Sequence, residues 1–159
     1  MTLTAEETST RPARTARINP LLGILSISAA AEDHRALRQS ASRIPCWIRT
    51  EDTCRTALWR LSQERISIVV CERDLPDGTW RDILENLDAS PERPYLIVTS
   101  RLADDLLWAE VLNLGGYDVL AKPFNAKETR HVLETAYLSR CGAGQPWPPA
   151  VFESSSAHD

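Results

Sequence analysis

The stretch that decides the fold is VVCERDLPDG, residues 69–78. The apolar run that leads into it, residues 66–70, predicts a buried strand, which stops abruptly at the charged Glu72. The PDG sequence that follows predicts a turn. Charged side chains need a reason to lie at the carboxyl end of a buried strand. In an open parallel α/β sheet, that end lines the crevice where ligands and reactive groups are found.

Composition restricts the class of protein. The 159 residues, 43% hydrophobic and 25% charged, are typical of one globular domain. The chain has 18 basic and 22 acidic residues, and this lack of a basic excess argues against nucleic acid as a partner. No apolar run reaches membrane-spanning length, so no membrane contact is expected.

Cysteine and histidine usage gives no metal or redox motif. The four cysteines form no C-x-x-C pair, and the first residues lack the apolar stretch of a secretory signal, so reduced thiols in the cytoplasm are expected. Cys54 and Cys71 are predicted to be small buried hydrophobes. The three histidines are scattered, which gives no support for a zinc site.

Strand and helix patterns alternate five times along the chain. The predicted strands are residues 21–28, 46–50, 66–71, 95–99 and 117–121, and the predicted helices are residues 32–43, 53–64, 79–88, 103–114 and 125–140. This alternation predicts an α/β fold with a five-stranded parallel sheet, flavodoxin-like strand order 2-1-3-4-5, and helices on both faces. The domain is assigned to residues 19–140, between a disordered tail (1–18) and a flexible tail containing Pro and Ser (141–159).

Three motifs occur in a fixed order at strand ends: LPDG after the third strand, IVTS at the fourth and GGYDVLAKPF at the fifth. Together they resemble the receiver domain of two-component response regulators over about residues 21–140. The resemblance implies an Asp at the end of strand three that accepts a phosphoryl group, and two acids at the end of strand one that hold Mg²⁺. It also implies a Thr and a Lys that contact the phosphoryl oxygens, and Thr99 and Lys122 stand at those positions.

The chain departs from this pattern at the positions of the phosphoacceptor and of the metal-binding acids. Glu72 stands at the phosphoacceptor position, and Ser28 and Ala29 stand where the acidic pair should be. The usual aromatic of strand five is replaced by Val119, with Tyr117 two residues earlier on the same strand face. The resemblance is therefore to a degenerate, pseudo-receiver type.

These substitutions remove the means of phosphoryl transfer. Mg²⁺ needs carboxylates, and by this reasoning only Glu72 offers one, so no cofactor is expected. The extra methylene of Glu moves its carboxylate by ~1.5 Å, and a misplacement of about 1 Å can lower a rate by roughly 10²-fold. An ion pair between Glu72 and Lys122 would then replace the metal-phosphate network, or would be a plain salt bridge that regulates nothing.

The other acids near the strand ends have ordinary explanations. Asp74 and Asp77 belong to the turn, where Asp commonly binds backbone amides. Glu32 and Asp33 open the first helix, where they favour the helix dipole, and a metal-ligand role for them is the minor alternative.

The fourth helix predicts a partner surface, because its apolar residues spread over more of its circumference than one buried face needs. The residues assigned to this surface are Leu106, Leu107, Trp108, Val111 and Tyr117. The alternatives are ordinary exposed leucines or a cover formed by the C-terminal tail. Trp80 is either a lid over the crevice or a residue packed at the start of its helix.

We therefore expect a stand-alone, receiver-like signalling module that is not an enzyme and acts independently of phosphorylation. It would bind another signalling protein through the face formed by helix four, strand five and helix five, and a homodimer is left open. The alternatives are a phosphorelay receiver that still accepts a phosphoryl group and a small-ligand sensor. No nucleophile-base pair, phosphate loop or dinucleotide fingerprint indicates a conventional enzyme.

Overall fold

The computed structural model describes residues 21–89 and 93–141. Five parallel strands form one sheet: β1 (Leu22–Ile27), β2 (Cys46–Glu51), β3 (Ile68–Glu72), β4 (Tyr95–Ser100) and β5 (Asp118–Ala121). Their order in the sheet is β2-β1-β3-β4-β5, which confirms the predicted fold class and strand order. The predicted tails lie outside the described residues, apart from Cys141.

Five helices connect or follow these strands: α1 (Ala31–Ser40), α2 (Cys54–Gln63), α3 (Trp80–Asp88), α4 (Asp105–Asn113) and α5 (Ala126–Cys141). Two further strands of two residues each, Asp74–Leu75 and Gly78–Thr79, pair antiparallel as a short hairpin in the predicted turn. Within the described part of the chain, no helix is long and apolar enough to cross a membrane.

The core lies on both sides of the sheet because side chains alternate along each buried strand. In β3, Val69 and Cys71 join the cluster under α2, α3 and α4. Ile68 and Val70 of the same strand join the cluster under α1 and α5. This alternation explains why the strand reads as one continuous apolar run in the sequence.

Hydrogen bonds at the start of α3 fix the end of the loop that follows β3. The backbone N–H of Thr79 donates to Asp82 Oδ2 at 3.0 Å, and its hydroxyl accepts from the Arg81 N–H at 3.2 Å, which is the predicted capping box. Trp80 follows directly and is 3% exposed within the core. Its side chain therefore packs at the start of α3 and does not form a lid.

The structure corrects two residues of the predicted partner surface. Leu107 is 5% exposed and Val111 is 0% exposed, and both belong to the core under α4. They lie four residues apart, so they share the helix face that packs on the sheet. Leu106 and Trp108 point elsewhere and are 78% and 49% exposed.

Tyr117, the fifth residue assigned to that surface, is half-buried. Its ring stacks on Tyr95, with 4.8 Å between ring centroids and an angle of 8° between the planes. The guanidinium of Arg140 lies 4.9 Å from the ring centroid of Tyr95. One face of Tyr117 is therefore used inside the domain and is not open to a partner.

Two neighbouring leucines of α4 provide a matched test of this assignment. Leu107→Ala should lower the free energy of unfolding by about 2 to 5 kcal/mol, because it removes a buried side chain and leaves a cavity. Leu106→Ala should change it by less than about 0.5 kcal/mol, because that side chain is in solvent. Urea denaturation of the two variants measures both values, and similar losses would contradict the assignment.

Candidate functional site

The candidate site lies at the carboxyl edge of the sheet, as the charged end of β3 predicted. The strand register aligns Ile27 with Cys71 and Glu72 with Thr99, so the residues after β1 lie beside the end of β3. Lys122 directly follows β5, and its backbone N–H donates to Ser100 O at 3.0 Å. Four strand ends therefore bring their side chains to one crevice.

The ammonium of Lys122 joins two carboxylates in this crevice. Lys122 Nζ lies 2.8 Å from Glu72 Oε2 and 2.7 Å from Asp33 Oδ2. The Lys122 side chain is 6% exposed, against 25% for Glu72 and 14% for Asp33. The Glu72–Lys122 contact considered from the sequence is thus present, as part of a larger cluster.

Asp33 is the member of this cluster that the sequence reasoning missed. The expectation that only Glu72 could offer a carboxylate to the crevice is wrong. α1 begins at Ala31, only a few residues after β1 ends, so its first turn lies over the strand end and Asp33 points back into the crevice. An acid in the first turn of a helix is favourable for the helix dipole whether or not it reaches the crevice. The sequence therefore did not indicate which of the two roles Asp33 has.

Ser28 has a definite role beside these carboxylates. Its Oγ lies 2.6 Å from Asp33 Oδ2 and 3.0 Å from Glu72 Oε1, and it accepts a hydrogen bond from the Ala30 N–H at 3.1 Å. A hydroxyl carries a single proton, so Ser28 donates mainly to one carboxylate at a time, and the Asp33 contact is the shorter. Ser28 therefore bridges the two acids.

His34 fixes the loop that carries Ser28. Its Nε2 lies 3.0 Å from the Ser28 carbonyl oxygen, and its Nδ1 lies 2.8 Å from the Ser26 hydroxyl. A carbonyl only accepts, so Nε2–H is the donor, and in the neutral ring Nδ1 accepts from Ser26. Both ring nitrogens are thus occupied within the domain, and the sequence carried no signal for this role.

Two predicted site residues remain outside the cluster. Thr99 is 2% exposed and lies beside Glu72 in the register, but its hydroxyl makes no hydrogen bond to Glu72 or Lys122. Its carbonyl oxygen accepts from the Arg73 N–H at 2.8 Å. Ala29 is exposed and has no polar side-chain atom, so it contributes nothing to the crevice.

Asp77 connects the turn after β3 to α2. Its two carboxylate oxygens accept from the backbone N–H groups of Cys54 at 2.7 Å and Arg55 at 3.0 Å. These hydrogen bonds lower the pKa of Asp77 below its ordinary value. The turn role predicted for Asp77 therefore extends to capping a neighbouring helix, away from the crevice.

Cys54 and Cys71 belong to the domain interior more than to the charged cluster, although Cys71 directly precedes Glu72 and its Sγ lies 3.2 Å from the Glu72 carbonyl oxygen. Burial raises the pKa of the Cys54 thiol to about 11, with a further contribution from the Asp77 carboxylate. Burial also raises the pKa of Cys71 well above its ordinary value. Both residues are buried and all four cysteines are free, so Cys54 and Cys71 are small core residues as predicted.

This arrangement of strands is known from solved structures. The chain is similar to the signal receiver domain of a protein described as a Luxo repressor from Vibrio parahaemolyticus, with 17% identity, a TM-score of 0.71, and coverage of 76% of this chain and 93% of that one. It is also similar to the signal receiver domain of an HD domain-containing protein from Pseudomonas fluorescens Pf-5, with 21% identity, a TM-score of 0.68, and coverage of 76% and 98%. The chain has the receiver fold.

A third similar structure with the receiver fold is the chemotaxis response regulator CheY4 of Vibrio cholerae. It has 15% identity, a TM-score of 0.62, and coverage of 74% of this chain and 99% of that one. No protein-family model matches this sequence, and no curated protein is similar to it at a significant level.

The crevice does not fit the divalent ion that the receiver fold implies. The residues at the end of β1, Ser28 and Ala29, offer no carboxylate. The two carboxylates that do reach the crevice, Asp33 and Glu72, both bind the Lys122 ammonium. Within residues 21–89 and 93–141 no group of three His, Cys, Asp or Glu side chains could hold a metal ion. The two carboxylates are thus engaged by an ammonium ion and are not left open to Mg²⁺.

The pKa of Lys122 reports how the cluster balances its charges. Burial lowers this pKa, but the hydrogen bonds and charges of Asp33 and Glu72 together raise it above the ordinary value of 10.5. A raised pKa in the folded state means that the pairing stabilises the protein fully below pH 10.5. This stabilisation is lost as the pH rises through the higher folded-state pKa.

Lys122→Met should destabilise the protein because it leaves two carboxylates close together without their cation. The expected loss is roughly 2 kcal/mol, below the value for fully buried pairs since Glu72 is partly exposed. Lys127→Met is the matched control, an exposed lysine on α5, and should change stability by less than about 0.5 kcal/mol.

At neutral pH, urea denaturation should show the full difference in the free energy of unfolding between wild type and Lys122→Met. The difference should narrow as the pH rises from 10.5 through the higher folded-state pKa of Lys122, because the wild type then also loses its ammonium. Equal effects of the two lysine variants would show that the cluster does not stabilise the fold.

Proposed function

We propose that this protein is a signalling module that works without phosphorylation, by contact with another signalling protein through the face formed by α4, β5 and α5. The observation that carries the first part is the Lys122 ammonium between Asp33 and Glu72. The second part is supported by the exposed apolar side chains of α4. The receiver fold also supports a signalling role.

The geometry of Glu72 argues against a phosphoacceptor role. Its Oε1 lies 3.0 Å from the Ser28 hydroxyl and its Oε2 lies 2.8 Å from Lys122 Nζ, so both oxygens already have partners. Attack on a phosphoryl donor would require Glu72 to leave at least one of them. Phosphoryl transfer also depends on a metal ion that neutralises the charge on the transferred group, and the two carboxylates that could bind such an ion here are paired with Lys122.

The same cluster would hold the crevice in a single state. A phosphorylated residue carries about −1.5 to −2 charges, whereas Glu72 carries about one, and Lys122 balances it. A module with a fixed crevice would present its partner surface all the time, and the supply of partner would control the signal. In this proposal the protein has no catalytic residue, binds no nucleic acid and acts in the cytoplasm.

A small-ligand sensor is the second candidate, because one observation favours it. A groove of about 520 Å³ lies beside the cluster, lined in part by Asp33, Arg101, Lys122 and Phe124. Its volume suits a small molecule. A ligand bound there would contact Lys122 directly, and thermal stabilisation in a screen of small metabolites, lost in Arg101→Ala, would favour this candidate.

Mass spectrometry after incubation with acetyl phosphate and Mg²⁺ tests the proposal. We expect the native protein to keep its unmodified mass, because neither the acceptor geometry nor the metal ligands support transfer. Glu72→Asp, run beside it, restores the shorter acid at the acceptor position. We expect that variant to stay unmodified as well, since Ser28 and Ala29 still provide no carboxylate and Asp33 is paired with Lys122.

Comparing the native protein with Glu72→Asp distinguishes the effect of the longer acceptor side chain from the effect of the missing metal ligands. Transfer to Glu72→Asp alone would mean that the length of the Glu side chain limits the reaction. Transfer to the native protein would overturn the proposal and favour a phosphorelay receiver. A chain with the receiver fold and an intact acceptor site, treated in the same way, confirms that the donor is active.

A further inference from the structure

A groove crosses the amino edge of the sheet, at the opposite end of the strands from the crevice. It has a volume of about 410 Å³ and is lined by the start of β1, Trp47 of β2, the loop before β3 and the end of α5. Because this amino-edge groove crosses strand ends, it receives side chains from both faces of the sheet. Its charged lining residues are Arg65 and Arg140, and none of the described residues that line it is an Asp or a Glu.

Gly23 and Trp47 give the amino-edge groove an apolar base. The two residues are partners in the register of β1 and β2. The Trp47 ring lies across Gly23, since a Cβ atom on this glycine would collide with the ring and lie 2.8 Å from the Arg65 carbonyl oxygen. The Gly23 carbonyl oxygen accepts from the Ser67 N–H at 2.8 Å. The base of the groove is therefore held by the hydrogen bonds of the sheet.

Leu21 adds exposed apolar surface to this base. It lines the groove, and 60% of its surface is exposed. The Trp47 side chain beside it is half-buried, and its ring is in contact with the guanidinium of Arg49, 4.8 Å from the ring centroid. An occupant of the groove must therefore offer apolar side chains to Leu21 and Trp47.

The groove lies where both ends of the described chain meet. Leu21 and Arg140 both line it, residues 1–20 precede Leu21, and residues 142–159 follow Cys141. Two segments of this chain are therefore attached at its rim. A segment attached by a short linker has an effective concentration on the order of millimolar, so even a weak contact would be occupied.

The amino-acid sequence distinguishes the two segments as occupants. Residues 142–159 contain Trp147, Val151 and Phe152, whereas residues 1–20 contain no aromatic residue. Residues 142–159 have two acids and no Lys or Arg, whereas residues 1–20 have three arginines and two glutamates. The segment after α5 thus combines aromatic side chains with negative charge, which suits an apolar groove lined by arginines better than a basic segment does.

We propose that residues 147–152 (WPPAVF) bind in the amino-edge groove of the same chain, with Trp147 against Leu21 and Trp47. This inference is independent of the proposed function, because the groove lies at the edge of the sheet opposite the crevice. The bound segment would tie the end of α5 to the starts of β1 and β2. Its two prolines restrict the backbone, which lowers the entropy lost on binding.

The length of the chain allows this contact. Trp147 lies seven residues after Arg140, and an extended chain of that length reaches up to ~23 Å at about 3.3 Å per residue. The groove crosses the ends of three neighbouring strands, a distance of roughly 10 Å. Leu106, in the first turn of α4, lies at the opposite edge of the sheet. The groove is therefore a closer site for Trp147 than a cover over the start of α4.

NMR spectra of the ¹⁵N-labelled full chain test the contact. Trp147→Ala should shift the amide signals of residues 21–23, 46–48 and 65–67, which are far from position 147 in the sequence. Ser155→Ala is the matched control in the same segment and should shift only the signals of its sequence neighbours. The loss of one indole signal in Trp147→Ala also assigns the Trp147 indole N–H of the native chain.

Two exposed leucines provide the reciprocal test on the groove. Leu21→Asp should move the Trp147 indole signal, because it places a charge in the apolar part of the groove. Leu102→Asp is the control, since Leu102 is 68% exposed but lies before α4, and the indole signal should stay in place. Both side chains are exposed, so neither substitution should unfold the domain.

A synthetic peptide of residues 142–159, added to the full-length Trp147→Ala variant, measures the affinity. The peptide should return the shifted amide signals toward their native positions, with a Kd of roughly 1 mM or tighter, since the attached segment binds at a millimolar effective concentration. A peptide with Trp147→Ala should bind at least about tenfold more weakly, because a buried aromatic anchor contributes most of such a contact.

Three results would overturn the inference. The first is that Trp147→Ala leaves the signals of residues 21–23, 46–48 and 65–67 unchanged. The second is that its shifts are centred on α4 or on the crevice. The third is that they disappear on dilution together with a dimer seen by sedimentation, which would assign the segment to the groove of a second copy.

Discussion

One ammonium group holds the carboxyl edge of the sheet together. Lys122 Nζ contacts carboxylates that lie 89 and 50 residues away in the sequence, on α1 and at the end of β3. Each contact has a Coulomb energy of roughly 1 to 4 kcal/mol before desolvation, depending on the effective dielectric. Because all three side chains are partly or largely buried, removing one leaves the others with charges that solvent compensates poorly.

This cluster connects the crevice to the loop before α4 through the backbone. The N–H of Lys122 donates to Ser100 O, and the Ser100 hydroxyl accepts from the Leu102 N–H, both at 3.0 Å. Leu102 is exposed and lies three residues before α4 begins at Asp105. Under the proposed function, a crevice fixed by Lys122 keeps the start of α4 in one position. The partner surface would then stay available without a covalent switch.

The site could be predicted from the sequence only in part. Glu72 was found because it ends a buried strand, at the edge of the sheet where ligands bind in open α/β folds. Lys122 was found because it stands at the position of the lysine in the receiver motif that GGYDVLAKPF resembles. Asp33 was missed because an acid in the first turn of a helix already has a local explanation in the helix dipole. The bridging role of Ser28 was missed for a related reason, since a serine after a strand carries no signal for its partners.

The sequence by itself determined the five alternating strands and helices and their order in the sheet. Apolar periodicity and capping residues act within a few residues of one another, and parallel crossovers leave few topologies open. Only the tertiary structure decided which leucines of α4 face the core, because Leu106 and Leu107 are equally apolar and differ only in the direction each points from the helix. It also decided that Asp33 reaches Lys122, because that contact depends on how α1 leaves β1 and lies over the strand end.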